Sequence, residues 1–357
     1  MRFGIWPTRM TSLSTRTQWC LLLGITILIT MAFLAIHLPG ATLIGPMLAA
    51  IILGVSGTTV QLPKSSSWLA QALTGGVVAL SLDATVFDDI AMHWLPMLVA
   101  LVTMLMGAVL VGLLMERSGR LPKGTALWGT LPGSAPAMIA MADDFGGDPR
   151  YVAVMQYLRV IIVVGMASLA CTVMAGVVTG GAPGVSPVAV RDVSIVASLA
   201  LVAVALLGGW LGTVVRMPGG VLLGPILLGG AVNMSGLIKL DAPGWLIGLA
   251  FAIIGWATGL RFRRNLLRDL LASVPLMLLS TLGLVVMSIG SAFLLESLTG
   301  KGLLTAYLAT SPGGLDSMTV VALGSGADVQ FILTLQTMRL FGTIFLSVLL
   351  VRVLQRG

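Results

Sequence analysis

The sequence predicts an all-α polytopic membrane protein made of two inverted repeats of five transmembrane helices, each repeat with a re-entrant or broken Pro-Gly helix hairpin. Three observations lead to this fold class. The 357 residues are 57% hydrophobic and only 9% charged, which is far from the composition of soluble globular domains. Apolar runs of membrane-spanning length recur along the chain. Polar residues inside those runs recur at a fixed interval, which indicates an internal duplication.

Six apolar runs are long enough to cross a bilayer, for which about 20 residues are needed. They lie at residues 19–36, 94–115, 152–178, 193–215, 270–295 and 329–354. Shorter runs interrupted by glycine fall at residues 43–55, 68–82, 222–234 and 245–260. Two runs broken by Pro-Gly complete six segments in each half. Within the fourth long run, Gly208 and Gly212 fit a GxxxG helix contact.

The N-terminal residues are rich in arginine, with Arg2, Arg9 and Arg16 before or at the edge of the first apolar run. This order of charge resembles a secretory signal peptide, but no small-x-small cleavage pattern follows and the run is long enough to span. We therefore expect an uncleaved first helix behind a cytoplasmic N-terminal tail at residues 1–17. The first membrane repeat is expected over residues 18–180 and the second over residues 191–357.

The duplication is clearest around the two broken runs. Residues from Thr125 onward align without a gap with residues from Thr305 onward, an offset of 180 (305 minus 125). The identical pairs include Pro132 with Pro312, Gly133 with Gly313, Asp148 with Asp328, Gln156 with Gln336 and Arg159 with Arg339. Because composition alone does not explain polar residues repeated inside apolar sequence, we interpret the chain as duplicated.

The loop charges distinguish two architectures. If all twelve segments span, the halves are parallel and the basic residues Arg261, Arg263, Arg264 and Arg268 lie outside, against the positive-inside tendency. If each broken run is a hairpin that returns to the side it entered, each half has five spanning segments and the second half is inverted. Most basic loop residues are then cytoplasmic, including Arg117, Arg120, Lys123, Arg352 and Arg356, although Arg191 lies outside. The acidic loop with Asp83, Asp88 and Asp89 also lies outside. We prefer this second arrangement, with both termini cytoplasmic.

The tips of the two broken runs are the first candidates for solute binding. They are Pro132, Gly133 and Ser134 in the first half and Pro312, Gly313 and Gly314 in the second. A Pro-Gly break frees backbone groups that lipid cannot satisfy, so it is tolerated only inside protein or beside water. Two opposed hairpins bring their tips together, and the half-helices that begin there favour an anionic group. The alternative is that each Pro-Gly pair only kinks a packed helix.

Asp316 is the candidate for coupling to H⁺ or Na⁺. It lies two residues after Gly314, whereas the equivalent position in the first half is Pro136. An ionisable residue at membrane depth marks a substrate or ion pathway by default. The alternative is that Asp316 is a helix N-cap, since aspartate is a preferred capping residue.

Gln156 and Arg159, like Gln336 and Arg339, are three residues apart and therefore share a helix face. Two roles remain open for them: direct contact with the solute, or a structural role in which they bond free hairpin carbonyls or pair with Asp148 and Asp328. Asp148 and Asp328 are expected to cap the helices that follow the hairpins.

The sequence offers little for a metal site, a cofactor or catalysis. His37 and His93 lie at segment ends without HExxH spacing, and Cys20 and Cys171 lie in apolar runs. No P-loop, nucleophile elbow or GxGxxG pattern is placed between a strand and a helix. The net charge of +7 resides in short loops, so a nucleic-acid partner is not expected. We expect no cofactor, no metal and no enzymatic activity.

Four motifs resemble the bacterial AbrB-type membrane protein family. They are Leu131-Pro-Gly-Ser-Ala-Pro-Ala-Met-Ile-Ala140, Ser311-Pro-Gly-Gly-Leu-Asp-Ser-Met318, Gly326-Ala-Asp328 and Gln336-x-x-Arg339. The resemblance covers nearly the whole chain. It implies a bacterial inner-membrane protein with a duplicated domain, similar to transporters with inverted repeats and broken helices. It implies no particular substrate.

The leading hypothesis is a secondary transporter that moves a small, anionic, organic solute by alternating access. The expected partners are lipid, the solute and a coupling H⁺ or Na⁺, and the oligomeric state is left open. One alternative is a non-transporting regulator or scaffold of the inner membrane that acts indirectly on gene expression. A metal-dependent membrane oxidoreductase, of the monooxygenase type, is disfavoured because the sequence lacks a ligand cluster.

Overall fold

The computed structural model of the protein is helical throughout its ordered elements. It describes residues 13–82, 85–122, 124–133, 135–179, 194–217, 219–236, 238, 240–263 and 270–354. In the first half the helices are α1 (Thr15–Ala35), α2 (Ala41–Val55), α3 (Lys64–Ala79), α4 (Thr85–Arg117), α5 (Thr125–Thr130), α6 (Ala135–Asp144) and α7 (Pro149–Thr179). In the second half they are α8 (Ile195–Val214), α9 (Gly220–Ser235), α10 (Gly244–Gly259), α11 (Val274–Thr299), α12 (Leu303–Thr310), α13 (Leu315–Leu323) and α14 (Val329–Leu354). A 3-10 turn, Leu271–Ser273, precedes α11.

Several predicted features fall outside the described residues. They are Arg2 and Arg9, most of the predicted N-terminal tail, Asp83, Lys123, Ser134, Arg264, Arg268, Arg356 and the segment at residues 180–193 that joins the halves.

Within the described ranges, six helices are long and apolar enough to cross a membrane. They are Thr15–Ala35, Ile90–Arg117, Pro149–Met174, Ile195–Val214, Leu271–Thr299 and Val329–Ser347. Helices α2, α9 and α10 are shorter but also apolar. The predicted all-α membrane protein is therefore supported at this level. The inversion of the repeats and the number of five spanning helices in each stay predictions.

The helices pack into two bundles. The first bundle contains α1, α2, α3, α8, α9 and α10, in which α2 packs against α10 and α3 packs against α9. The second bundle contains α4 to α7 and α11 to α14, in which α4 packs against α11 and α12 packs against α14. The bundles meet where α3 contacts α13 and where the Ser168 hydroxyl donates to the Pro39 carbonyl at 2.6 Å. Each bundle therefore draws the corresponding helices from both halves of the chain.

Each broken run forms a pair of short helices that turns back on itself. The hydroxyl of Thr125, at the start of α5, accepts a hydrogen bond from the backbone N–H of Asp148 at 3.0 Å, although Asp148 lies beyond the end of α6. Thr305 and Asp328 make the equivalent bond at 3.2 Å around α12 and α13. The chain thus leaves each broken run close to where it entered. This geometry is that of a hairpin.

The contact between α8 and α9 is made largely by backbone. A Cβ atom on Gly212 would meet the Gly220 carbonyl, and a Cβ on Gly220 would meet the Gly212 carbonyl. One turn away, Gly208 lies in the same way against Gly224 and Pro225. The contact predicted from the GxxxG spacing is therefore present, and small residues let the two helices approach closely.

We expect Gly212→Ala to lower the thermal unfolding midpoint of the detergent-solubilised protein. The added methyl group has no room, and overpacking of this kind costs about 1–3 kcal/mol. Gly290→Ala is the matched control, since nothing lies within 4 Å of the position of its Cβ and alanine favours the helix. Equal midpoints for the two variants would contradict the packing of α8 against α9.

Candidate functional site

A glutamine and an arginine of α7 hold the first hairpin. The Gln156 side-chain amide donates to the carbonyls of Trp128 and Leu131, both at 3.1 Å. Arg159 donates from Nη1 to the Leu131 carbonyl at 3.0 Å and from Nη2 to the Gln156 Oε1 at 2.6 Å. These carbonyls lie where α5 ends, so helical hydrogen bonding leaves them without partners.

Gln336 and Arg339 of α14 hold the second hairpin in a similar way. Gln336 Nε2 donates to the carbonyls of Leu308 at 2.9 Å and Ser311 at 3.2 Å. Arg339 donates from Nη1 to the Ser311 carbonyl at 2.5 Å and from Nη2 to the Gly313 carbonyl at 2.6 Å. Both arginines are only 3% exposed. Buried guanidinium groups need such acceptors, because an unpaired polar group in an apolar interior is costly.

The structure contains the predicted hydrogen bonds from the Gln-Arg pairs to hairpin carbonyls. The predicted pairing of the arginines with Asp148 and Asp328 is wrong. Neither arginine pairs with the aspartate of its own half. Asp148 pairs with Arg150 at 2.8 Å, and Asp328 pairs with Lys301 at 3.1 Å. The two hairpins therefore rely on carbonyl acceptors, and the arginine charges are not neutralised by these acids.

Asp148 and Asp328 have the geometry of helix N-caps. Asp148 Oδ1 accepts from the Arg150 backbone N–H at 2.9 Å, and Asp328 Oδ1 accepts from the Phe331 backbone N–H at 3.1 Å. The Arg150 side chain also bonds Asp148 and holds the pKa of its carboxyl below the ordinary value. Each aspartate therefore fixes the start of the helix that carries the Gln-Arg pair.

Both hairpin tips line one cavity of about 300 Å³ between the bundles, which we call the inner cavity. Pro132 and Gly133 line it from the first tip, and Gly313, Gly314 and Asp316 line it from the second. The first bundle contributes Ser67 and Gln71 of α3, Thr258 of α10 and Arg261 just beyond α10. The structure thus brings four of the predicted tip residues, Pro132, Gly133, Gly313 and Gly314, to one site. Pro312 does not line the inner cavity and lies instead at a separate small space that it shares with Pro132. Ser134 is outside the described residues.

Positive charge predominates around the inner cavity. Arg159, Arg339 and Arg261 line it, and Asp316 is the acid among its described lining residues. The backbone at the start of α13, with Gly314 and Leu315, also lines the cavity, and helix N-termini favour anions. The cavity therefore suits an anionic group, and its volume is at the lower end for small-molecule sites.

Asp316 lies in the first turn of α13, but it is not the capping residue. The N-cap is Gly314, and no side chain caps this helix. The N-cap interpretation of Asp316 is therefore wrong by two positions. Among described side chains, none donates a hydrogen bond to its carboxylate, and Arg261 lines the same cavity. The carboxylate can therefore interact with an ion or solute bound in the inner cavity.

Sequence reasoning missed the part of Arg261 in this site, because a basic residue in a loop is typical of a topology determinant. Arg261 Nη1 donates to the Tyr157 hydroxyl at 2.9 Å, and the guanidinium lies 5.0 Å from the centre of that ring. Gln71 was also missed. Its polar side chain inside the apolar run at residues 68–82 was the available signal.

No metal centre is built by the described residues. They contain no group of three or more histidine, cysteine, aspartate or glutamate side chains that could hold an ion.

Comparisons with known proteins agree with the motifs at the hairpins. The family model described as "Transition state regulatory protein AbrB" matches residues 43–355. The chain belongs to the AbrB family. It is 40% identical over 325 residues to a protein of Escherichia coli (strain K12) named "Putative regulator AbrB", covering 91% of this chain and 92% of that protein. It is 25% identical over 288 residues to "Uncharacterized protein YhjN" of Bacillus subtilis (strain 168), covering 76% of this chain and 74% of that protein.

The resemblance read from the motifs is thereby confirmed. The matched region in this AbrB-family chain contains both hairpins, both Gln-Arg pairs and Asp316.

We expect Gln336→Leu to lower the thermal unfolding midpoint, because the Leu308 carbonyl loses its side-chain donor and the Ser311 carbonyl keeps only Arg339. Leaving a buried acceptor without its donor costs about 1–3 kcal/mol. Gln71→Leu is the matched control, since Gln71 lines the inner cavity without holding a hairpin. Equal shifts of the thermal unfolding midpoint in both variants would contradict the role of Gln336 in holding the second hairpin.

Proposed function

We propose that this AbrB-family chain is a secondary transporter in the bacterial inner membrane that moves a small organic anion by alternating access. The observation that carries the proposal is the inner cavity, which lies between the two bundles and is lined by both hairpin tips. Transporters with inverted repeats and broken helices bind their substrates at such places. The proposal includes no chemical conversion of the solute.

The charge of the inner cavity supports an anionic solute. Three arginines face one aspartate among the described lining residues. Two of these arginines, Arg159 and Arg339, donate to hairpin carbonyls and form no ion pair with an acid among the described residues. Anions are favoured where fixed cations and helix N-termini converge in a site of low dielectric constant.

Asp316 is the proposed coupling residue. It lines the inner cavity together with Arg261, and an ionisable residue inside a membrane protein marks an ion pathway by default. Binding of the coupling ion would cancel the carboxylate charge beside the arginines. The inner cavity would then hold the anion more tightly, which links the two binding events.

The proposed topology keeps the two halves inverted, with five spanning helices in each and both termini in the cytoplasm. The positions of Arg117, Arg216 and Arg261 support it, because basic loops favour the cytoplasmic side. The same helix order in both halves also supports it. Movement of one bundle against the other would open the inner cavity alternately to each side.

The names of the family and of its Escherichia coli relative point to regulation. A non-transporting membrane regulator is therefore the alternative that the flux experiment must separate from transport. If neither the unmodified chain nor any variant transports any of the organic anions tested, the regulator is favoured.

Asp316→Asn is expected to reduce gradient-driven uptake by at least about tenfold, equivalent to about 1.4 kcal/mol. The measurement is flux of radiolabelled organic anions into proteoliposomes under an imposed H⁺ or Na⁺ gradient. Asp144→Asn is the matched control, because Asp144 is exposed at the end of α6. Undiminished flux in both Asp316→Asn and Arg339→Ala would remove the proposed site.

Cysteines placed at Asp144 and Ser325 are expected to react with an impermeant thiol reagent from opposite sides of the membrane. The loop after the first hairpin is cytoplasmic in the inverted arrangement, and the loop after the second is outside. The measurement is labelling in sealed cells and in inverted vesicles, in a background without Cys20 and Cys171. Labelling of both positions from the outside contradicts the inversion.

A further inference from the structure

A second and larger cavity adjoins the inner cavity. It has a volume of about 610 Å³, and we call it the outer cavity. Both cavities are lined by Ser67, Gln71, Tyr157 and Arg261. These shared walls make the outer cavity an approach to the inner one.

The outer cavity is basic. Lys64, Arg261 and Arg263 line it, and its described lining residues include no aspartate or glutamate. None of the three cations forms an ion pair within the described part of the chain. Three cations around a concave space raise the local concentration of anions.

Helix α3 adds to this preference. Its residues Lys64, Ser67, Trp68 and Gln71 line the outer cavity, and their spacing places them on one helix face. The helix begins at Lys64 after Pro63, with no side chain capping it. The Ser66 N–H donates to the Pro63 carbonyl at 3.0 Å. The N–H groups of Lys64 and Ser65 lie at the same end as the lysine side chain, where helix geometry favours a negative group.

Arg261 is placed to act in both cavities. Its guanidinium donates a hydrogen bond to the Tyr157 hydroxyl at 2.9 Å, and Arg261 lines the inner cavity together with Asp316. Among the described lining residues, it is the cation common to the two cavities. An anion that enters by the outer cavity therefore passes Arg261 before it reaches the hairpin tips.

We propose that the outer cavity is a separate oxyanion-binding site, formed by Lys64, Arg261, Arg263 and the start of α3, which captures the solute's carboxylate or phosphate group before it enters the inner cavity. This inference rests on the proposed transport for the identity of the ligand. Its site is on the cytoplasmic side in the proposed topology, and it binds an anion from the aqueous phase. A headgroup of an anionic lipid offers the same chemistry, so the experiment separates the two sources.

The test uses the full chain in phosphatidylcholine nanodiscs, with Gln61→Cys as reporter and with Cys20 and Cys171 replaced by serine and alanine. Gln61 lines the outer cavity and is exposed. An anionic methanethiosulfonate should modify it about tenfold faster or more than a cationic one, relative to a free thiol. Lys64→Gln with Arg263→Gln should abolish this preference, and Lys64→Arg should keep it. A reporter at Ser297→Cys, exposed at the far end of α11, should show no such preference.

Inorganic phosphate is the binding probe. It should slow modification of Gln61→Cys by neutral N-ethylmaleimide, and chloride at equal ionic strength should not. The double Gln variant should lose this protection. Equal rates with the two charged reagents, or no protection by phosphate, would overturn the proposal. Protection that appears only when phosphatidylglycerol is added, and that phosphate does not reproduce, would assign the outer cavity to lipid and also overturn it. Labelling requires no flux, so failure of transport and failure of this site are distinguished.

Discussion

Side-chain hydrogen bonds to backbone carbonyls hold both hairpins, and the rest of the structure depends on them. Gln156 and Arg159 donate to the first hairpin, and Gln336 and Arg339 donate to the second. A chain that breaks its helix between apolar segments must satisfy the freed carbonyls within the protein. Here the acceptors come from the ends of α5 and α12, and the donors come from the long helices α7 and α14. The bonds hold each tip at a fixed place against its long helix. They also hold two arginine charges beside the inner cavity without pairing them with acids, so the same interaction supports the fold and gives the site its charge.

The two hairpins are similar but not equivalent. In the first, Arg159 donates to Gln156, whereas in the second, Arg339 reaches the Gly313 carbonyl and Gln336 Oε1 has no partner among the described residues. The second tip also carries Asp316, where the first half has Pro136. One site between two related hairpins can thus combine an anion-binding half with an ion-binding half. Coupling requires that one ligand changes the affinity for the other, and a carboxylate beside cations in one cavity offers such an effect.

Much of this arrangement could be predicted from the sequence, because repeated polar residues in apolar runs have few explanations. The offset of 180 identified the Gln-Arg pairs and both tips, and the spacing of three residues placed each pair on one helix face. The exact start of α13 could not be predicted, since Asp316 and Gly314 are both acceptable near a helix N-terminus; the structure selects Gly314 as the cap. The part of Arg261 could not be predicted either. It depends on the tertiary contact that the residues after α10 make with α7, where Arg261 bonds the Tyr157 hydroxyl and Phe262 lies against the same ring, and local sequence carries no signal for that contact.

The proposed transport requires that the inner cavity opens alternately to the two sides of the membrane. The most direct measurement is the accessibility of Ser317→Cys, since Ser317 is buried and lines the inner cavity beside Asp316. A membrane-impermeant thiol reagent is applied to sealed cells and to inverted vesicles, with and without an imposed ion gradient, in the background without Cys20 and Cys171. Alternating access predicts labelling from both sides, and the ratio of outside to inside labelling should change with the ion gradient. Labelling from one side alone under every condition would contradict it.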